Sequence, residues 1–284
     1  MPNYTFPGVP EDKLFDHVVE QAKAAEAAGF DLVTVMDHFY QIRGVGPETA
    51  PMLEAYSALA ALATQTRKVK LGTLVTGVTY RNPALLAKTA VTVDHLAGGR
   101  LEFGIGAAWA EIEHEMYGFD GLDHRVGRLS ESLQIIKSLF TQERTNFEGR
   151  YYHFKDAIAN PKPLQKPYPP IWIGASGQTT MRLVARHADV WNIAGGDPDR
   201  VDELTAMLDE ACAAVGRDPS EIRHSIQFGW DGKESNELLE LSGRFLEQGV
   251  TEQVVYLRGE EPAKLAGKVA ELLPDLRRLQ PVPS

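Results

Sequence analysis

Short apolar runs and helical patterns alternate along most of this 284-residue chain. Apolar runs rich in β-branched residues are typical of strands that are buried on both faces. Seven runs are predicted as strands, at 31–36, the first half of 69–83, 100–105, 170–174, 189–193, 222–228 and 252–257. Helical patterns separate them, and another precedes the first strand, at 13–28. Repeated strand–helix units over this length favour a (β/α)8 TIM barrel over a doubly wound sheet.

The repeat is irregular in two places. Before the first helix only 1–6 can supply an eighth strand, so either the barrel opens with a short strand or the natural chain begins further upstream. After the fourth helix, residues 146–154 are typical of a hairpin, and a proline-dense tract follows. We predict a single TIM-barrel domain over 1–284, with an insertion at about 141–169 on its C-terminal face.

The composition narrows the range of partners. The formal net charge is −10 and the isoelectric point about 5.3, which argue against nucleic acid or an anionic membrane surface. No apolar run approaches the length of a membrane-spanning helix, and the proline-rich N-terminus differs from a signal peptide. The one cysteine, Cys212, permits no disulfide within the chain and is expected to be buried and inert. We therefore expect a cytoplasmic protein that acts on a small molecule.

The residues that follow the strands of a barrel gather at its C-terminal face, where catalytic groups lie. In this chain these residues are rich in glycine, hydroxyl and amide groups and include one histidine: Asp37 and His38, 74–76, 106–109, 174–177, 192–196 and 227–230. His38 can accept or donate a proton near neutral pH. Asp37 beside it at a strand end favours a catalytic role over a purely structural one.

The same residues argue against metal chemistry and against a serine nucleophile. The chain contains neither His-x-His nor His-Glu-x-x-His, and no Gly-x-Ser-x-Gly. His114 lies between Glu113 and Glu115 on a predicted helix, where charged residues usually face solvent. We predict no metal site, and a solvated face for this cluster.

A glycine-rich turn opens the helix that follows the 170–174 strand. Free backbone N–H groups and the helix dipole attract an anion at such a position, and Ser176, Thr179 and Thr180 add hydroxyl donors. The pattern predicts a phosphate site, and the phosphate sites of barrels lie on late strand–helix loops. An ordinary capped helix start accounts for the same residues, so both interpretations stay open.

Gly104 and Gly106 do not form the fingerprint of a dinucleotide site, because the third glycine and the following acidic residue are missing at the required spacing. Glycines at this place would instead let a planar ligand approach the backbone. Trp109, shortly after them, either forms a wall of a ring-binding site or belongs to the core.

Several longer motifs are more specific. They are 27–31 (AAGFD) leading into 36–39 (MDHF), 71–75 (LGTLV) with 80–83 (YRNP), 98–101 (GGRL) with 104–107 (GIGA), 147–152 (FEGRYY), and 161–167 (PKPLQKP) leading into 170–174 (PIWIG). Together they resemble the bacterial luciferase-like superfamily over nearly the whole chain. The resemblance is closest to its coenzyme F420-dependent oxidoreductases.

The resemblance implies a TIM barrel with insertions on its C-terminal face, and coenzyme F420 as the cofactor, with FMN as the alternative. A non-prolyl cis peptide bond of the family maps onto Leu74–Val75 and would press against the middle ring of the cofactor. Asp37 and His38 would lie beside the reacting ring as the catalytic groups, and family members often form homodimers. The residues placed against the cofactor are Leu74, Val75, Thr76, Gly106, Ala107, Ala108, Trp109, Gly174, Ala175, Ser176, Gly177, Gln178 and Thr179, the last six at its phosphate.

Two positions depart from the family. Trp109 replaces a Glu that the F420-dependent glucose-6-phosphate dehydrogenases use as an acid, and Trp cannot transfer a proton. Ala107 replaces a phosphate-binding Arg of the luciferases, which argues against an FMN site of their type.

We predict hydride transfer between F420 and a small organic substrate. His38 would orient the substrate or transfer a proton, under a lid formed by 41–50 and the segment after Thr141. A two-component FMN monooxygenase is the main alternative, and a barrel that binds the cofactor without turnover is the other.

Overall fold

The structure, a computed structural model, describes residue 4 and residues 6–42, 44–258 and 262–279. The chain forms two compact units, Met1–Val33 with Ala175–Ser284, and Thr34–Gly174. The prediction of a single domain over the full length stays a prediction.

Helices and strands alternate along the described chain. The helices are α1 (Leu14–Ala28), α2 (Ala55–Gln65), α3 (Pro83–Leu96), α4 (Glu111–Tyr117), α5 (Arg125–Thr141), α6 (Gln178–His187), α7 (Val201–Val215), α8 (Ser235–Glu247) and α9 (Pro262–Leu279). The strands are β1 (Leu32–Val35), β2 (Lys70–Thr73), β3 (Thr76–Gly77), β4 (Leu101–Gly106), β5 (Thr145–Glu148), β6 (His153–Ala157), β7 (Ile171–Gly174), β8 (Val190–Ile193), β9 (Arg223–Trp230) and β10 (Glu252–Leu257). All seven strands predicted from residue 31 onward are present, as β1, β2, β4, β7, β8, β9 and β10.

In the unit Thr34–Gly174, strand β4 is the centre of a parallel arrangement. Strand β2 lies on one side of it, with Leu71 opposite Leu101, and β7 lies on the other, with Phe103 opposite Ile171. All six residues of β4 are buried, as expected of a strand that is covered on both faces. Helix α3 packs against both α2 and α5.

In the unit formed by Met1–Val33 and Ala175–Ser284, strand β9 lies between β8 and β10 and is parallel to both. Helix α6 packs against α7, and α9 packs against α1 and α8. Gly29 ends α1 in the left-handed conformation, with φ 89°, and its N–H reaches the carbonyl oxygens of Ala25 and Glu26. The predicted end of the first helix is therefore confirmed.

The hairpin predicted for the insertion is confirmed. Strands β5 and β6 are antiparallel, with Glu148 opposite His153. The carboxylate of Glu131, on α5, accepts hydrogen bonds from the backbone N–H groups of 150–152, which fasten the turn to that helix. The proline-rich tract at 158–170 contains no helix or strand, because Pro lacks the N–H that such elements need.

Three predictions concern the N-terminus, the thiol and the membrane. The predicted first strand, 1–6, lies mostly outside the described residues, and its two described members, Tyr4 and Phe6, are buried. Cys212 is a buried free thiol, as predicted. Among the described helices, none combines the length and the apolar character that crossing a bilayer requires.

Candidate active site

His38, at the end of β1, is held by a buried carboxylate. Its Nδ1 lies 2.9 Å from Oε2 of Glu113, and the Glu113 side chain has no exposed surface. The hydroxyl of Tyr80 donates to the same oxygen, and the backbone N–H of Phe39 donates to Oε1 over 2.6 Å. Both oxygens of Glu113 are therefore bonded by donors, which favour its charged form.

These donors set the charge of Glu113. Burial disfavours the charge on Glu113, yet the hydrogen bonds from His38, Tyr80 and the Phe39 N–H hold the pKa of its carboxyl group below the ordinary value. Since an ionised carboxylate accepts hydrogen bonds and cannot donate them, Nδ1 is the nitrogen of His38 that carries a hydrogen toward Glu113. In the neutral form of such a ring the lone pair lies on Nε2, and no described residue hydrogen-bonds to this nitrogen. His38 can thus accept a proton from a bound molecule and later return it.

Trp109 lies beside the imidazole of His38. The two ring centroids are 5.6 Å apart and the ring planes are inclined by 73°. Ala108 adopts φ 65°, a left-handed conformation uncommon for Ala, in the segment between β4 and α4. Trp109 is 61% exposed, so the alternative that it belongs to the core is wrong. It forms an accessible wall next to the imidazole.

Asp37 is bound to Arg81 through both of its oxygens. Two guanidinium nitrogens lie 2.6 and 3.0 Å from them, and one of these nitrogens also lies 2.5 Å from Oε1 of Glu54. The guanidinium stands over the ring of Tyr56, 4.9 Å from its centroid. Burial raises the pKa of Asp37, and the bidentate guanidinium opposes that rise. Since both oxygens are engaged, Asp37 anchors the loop after β3, and its catalytic role stays a prediction.

The peptide bond between Leu74 and Val75 is cis, as the family resemblance implies. Both residues are half-buried, whereas Thr76 is fully buried, with its hydroxyl oxygen 2.7 Å from that of Tyr56. Leu74 and Val75 are therefore accessible, while Thr76 fixes the loop. Their contacts with a cofactor stay predictions.

Gly104 and Gly106 make room for protein atoms. A Cβ at Gly104 would lie 1.9 Å from the carbonyl oxygen of Thr73 and 3.0 Å from Cγ1 of Val75. A Cβ at Gly106 would lie 2.9 Å from Cγ2 of Val75. On the side where a side chain would project from these glycines, the space is filled by Val75 and by the backbone at the end of β2. That the two glycines let a planar ligand approach the backbone stays a prediction, as do the cofactor contacts along 106–108.

The Gly104→Ala variant is expected to lose about 3 kcal/mol or more of its free energy of unfolding. The added methyl group would collide with a backbone oxygen, which cannot rotate away as a side chain can. Gly243→Ala is the matched control, because beyond the neighbouring backbone of α8 no atom lies within 4 Å of its Cβ position. That variant should gain about 0.5–1 kcal/mol. Urea unfolding measures both changes, and a Gly104→Ala midpoint equal to that of the wild type would contradict the packing described.

The predicted phosphate segment leads from β7 into α6. Residues 176–179 are exposed, and no side chain caps the helix at its N-cap residue, Gly177. The hydroxyl of Thr180 donates instead to the carbonyl oxygen of Gly177, and Nε1 of Trp191 fixes the loop by donating to the carbonyl oxygen of Ala175 over 2.9 Å. The uncapped first turn favours the anion interpretation over a capped helix start. The phosphate site itself stays a prediction.

Helix α4 supplies the residue that the sequence analysis missed. The predicted solvated face is wrong for Glu113 and His114, which are 0% and 2% exposed. Nδ1 of His114 donates to the carbonyl oxygen of Ala110 over 2.7 Å, and Nε2 accepts a hydrogen bond of 2.6 Å from the Thr79 hydroxyl. The first bond fixes the ring on its own helix, and the second ties α4, which carries Glu113, to the loop after β3.

The short helix α4 inverts the usual amphipathic arrangement. Ile112 and Met116 are 60% and 53% exposed, whereas Glu113 is directed inward to the three donors described above. A carboxylate normally faces solvent because burial of its charge is unfavourable, but a complete set of donors offsets that cost. The available sequence signal was the presence of two large apolar residues among the carboxylates of so short a helix.

A cluster of aromatic rings includes Tyr80, whose hydroxyl donates to the buried carboxylate. The ring centroids lie 5.2–5.9 Å apart along a connected cluster of Phe39, Tyr80, His114, Tyr117 and Phe119. Such a cluster excludes water, which strengthens the hydrogen bonds that end on Glu113.

Solved structures with the same fold superpose on almost the full length of this chain. An F420-dependent secondary alcohol dehydrogenase in complex with an F420–acetone adduct superposes with a TM-score of 0.82 at 20% identity, over 93% of this chain and 95% of that one. The F420-dependent tetrahydromethanopterin reductase from Methanopyrus kandleri superposes with a TM-score of 0.76 at 18% identity, over 92% and 96%. Both are luciferase-like TIM barrels, so the predicted fold class is confirmed.

Residues 5–235 match the luciferase-like monooxygenases, and the chain belongs to this family. It is 34% identical to the F420-dependent glucose-6-phosphate dehydrogenase of Segniliparus rotundus, over 74% of this chain and 63% of the relative. It is 37% identical to the enzyme of that name from Tsukamurella paurometabola, over 71% and 60%. These alignments span less than two thirds of the relatives' own length. Their names agree with the predicted resemblance to the F420-dependent branch.

Proposed function

We propose that this chain is an oxidoreductase that transfers a hydride between coenzyme F420 and a small organic substrate. The observation that carries the proposal is the buried pair of His38 and Glu113, which leaves Nε2 of His38 as a proton acceptor. Oxidation of an alcohol removes a proton as well as a hydride, so a hydride-accepting cofactor needs a base on the protein. The names of the F420-dependent relatives and structural neighbours support the choice of cofactor.

The chain supplies the proton chemistry, and the bound cofactor accepts or donates the hydride. In the oxidative direction, Nε2 of His38 takes the proton of the substrate hydroxyl as its O–H bond breaks. Glu113 stabilises the imidazolium that results, because its charge lies 2.9 Å from Nδ1. In the reductive direction, His38 returns the proton to the carbonyl oxygen.

Each of the two units carries a surface that supports the proposed binding of one part of F420. In Thr34–Gly174, the half-buried Leu74 and Val75 are accessible and uncharged, which suits the flat ring system. In the other unit, the uncapped first turn of α6 offers N–H groups to a phosphate. The proposed contacts in Thr34–Gly174 are Leu74, Val75, Thr76 and Trp109, with Gly106, Ala107 and Ala108 along the cofactor tail and Gly174 at the phosphate. Those in the other unit are Ala175, Ser176, Gly177, Gln178 and Thr179, at the phosphate.

The assembly, the location and the lid belong to the same proposal. We propose a cytoplasmic homodimer with a lid formed by 41–50 and the segment after Thr141. Residue 43 of that lid lies outside the described residues.

Titration of the chain with oxidised F420 and, separately, with FMN tests the cofactor. We expect tight binding of F420 and weak binding of FMN, followed through tryptophan and cofactor fluorescence. The Ser176→Glu variant places a carboxylate before the first turn of α6, where it repels a phosphate. This variant should weaken F420 binding by about tenfold or more.

Ser235→Glu is the matched control, because Ser235 is equally exposed at the start of α8. We expect it to leave F420 binding unchanged. Tighter binding of FMN than of F420 would favour the two-component monooxygenase. Tight binding of F420 without turnover of any substrate would favour a protein that only binds the cofactor.

A further inference from the structure

The surface that α4 presents near His38 is apolar. Ile112 and Met116, four residues apart, lie on one face of α4 and are 60% and 53% exposed. Trp109 precedes the helix, is 61% exposed and contacts the His38 ring edge-on. These three side chains, Trp109, Ile112 and Met116, are called the α4 apolar surface below. Large apolar groups exposed together beside a reactive side chain mark a place where an apolar ligand binds.

The charges near this surface are unfavourable for an anion. The other exposed side chains of α4 are Glu111, Glu115 and Tyr117, so the helix offers carboxylates and no cation. Arg81, in the loop after β3, already binds the carboxylates of Asp37 and Glu54. A phosphorylated substrate would meet repulsion here instead of the arginine or lysine that phosphate recognition uses.

We propose that the substrate is a neutral alcohol or carbonyl compound whose apolar part binds the α4 apolar surface while its oxygen reaches Nε2 of His38. The inference rests on the proposed function and specifies its substrate class. The proposed substrate class differs from the phosphorylated sugar for which the relatives are named. The contact of Trp109 with His38 carries the argument, because it places one member of the α4 apolar surface beside the group that would handle the proton.

Trp109 provides a direct measurement of binding. The other three tryptophans, Trp172, Trp191 and Trp230, are at most 5% exposed, so a change in the emission of exposed tryptophan reports Trp109. Secondary alcohols from 2-butanol to 2-octanol are added to the chain with and without bound F420. We expect a saturable blue shift, with an affinity that rises about fourfold for each added CH2 group. Glucose 6-phosphate should leave the emission unchanged, and kcat/KM with F420 should follow the same order.

Two polar substitutions test the assignment of the surface. Ile112→Asn and Met116→Asn should each weaken 2-octanol binding by about fivefold or more and leave F420 affinity unchanged. Leu85→Asn is the matched control, because Leu85 is also 60% exposed but lies on α3. We expect this control to bind 2-octanol as the wild type does.

Several results would overturn the inference. They are a Trp109 response to glucose 6-phosphate, an affinity independent of chain length, or equal effects of the Ile112→Asn and Leu85→Asn substitutions. A blue shift that grows with protein concentration alone would assign the surface to a second copy of the chain. Alcohol binding in a chain that fails to bind F420 would support the apolar surface and contradict the proposed function, so the two can fail separately.

Discussion

The His38→Gln variant is expected to lose about 10²–10⁴-fold in kcat with its best substrate. The Gln amide can still donate to Glu113, so the buried carboxylate keeps a partner. It cannot accept a proton at the position of Nε2, which removes the base that the proposed reaction needs. The dissociation constant of F420 should stay unchanged, because the substitution removes proton transfer and not the cofactor surfaces. Steady-state kinetics together with cofactor titration separate the two effects.

His153→Gln is the control for this substitution. His153 lies on β6 in the same unit, where its exposed ring contacts Glu148 over 2.8 Å. We expect its kcat to equal that of the wild type. A His38→Gln variant that turned over at the wild-type rate would remove His38 from the mechanism.

The Glu113→Gln variant is expected to lower kcat by about 10–100-fold without weakening F420 binding. Gln has the same shape as Glu but carries no charge. In one orientation of the amide, its NH2 group would face the Phe39 N–H, which is also a donor. In the other orientation, the NH2 group would face the Tyr80 hydroxyl and His38 Nδ1. The imidazolium then loses its counter-ion, and the ring loses the partner that fixes its tautomer. Glu113 acts as a positioning residue, so Glu113→Asp, which keeps the charge, should recover part of the rate.

The same variant should change how stability depends on pH. Burial raises the pKa of Glu113, but the donors around it lower the pKa further, to a net value below the ordinary 4.5. The stabilisation from ionised Glu113 is therefore fully present above pH 4.5 and is lost as the pH falls through the lower folded pKa. At neutral pH the free energy of unfolding of the variant should be about 1–3 kcal/mol lower than that of the wild type. In acid the two free energies of unfolding should become equal.

Urea unfolding at a series of pH values from about 3 to 7 measures this convergence. Glu115→Gln is the control, because Glu115 lies on the same helix but is exposed. Its stability should follow that of the wild type throughout. Parallel curves for the wild type and Glu113→Gln would show that Glu113 does not carry the charge that its hydrogen bonds indicate.

The regular elements could be predicted from local patterns. The observed bounds of β10, Glu252–Leu257, equal the predicted ones. Gly29 ended the first helix as expected, because a left-handed residue there satisfies the last carbonyl groups. These features depend on a few neighbouring residues, whose periodicity and turn chemistry can be read directly. The cis bond at Leu74–Val75 was located through the family resemblance, since no local pattern indicates it.

The partner of His38 could not be predicted in this way. Glu113 lies 75 residues away along the chain, and a hydrogen bond over that separation leaves no periodic trace. Local reasoning assigned the 113–115 cluster to solvent because isolated carboxylates belong there. Only the three-dimensional arrangement shows that Tyr80 and the Phe39 N–H meet at the same carboxylate.

If both proposals hold, the two faces of α4 separate the chemistry of the site from its selectivity. Glu113 and His114 face inward, and their hydrogen bonds fix the reacting imidazole and the loop beside it. Ile112 and Met116 face outward, where substitutions usually change stability by only about 0.5 kcal/mol. One turn of helix can therefore diversify by ordinary surface mutation while proton transfer is preserved. Within a family whose members keep one fold, such a helix is a place where new substrate ranges can evolve without passing through an inactive protein.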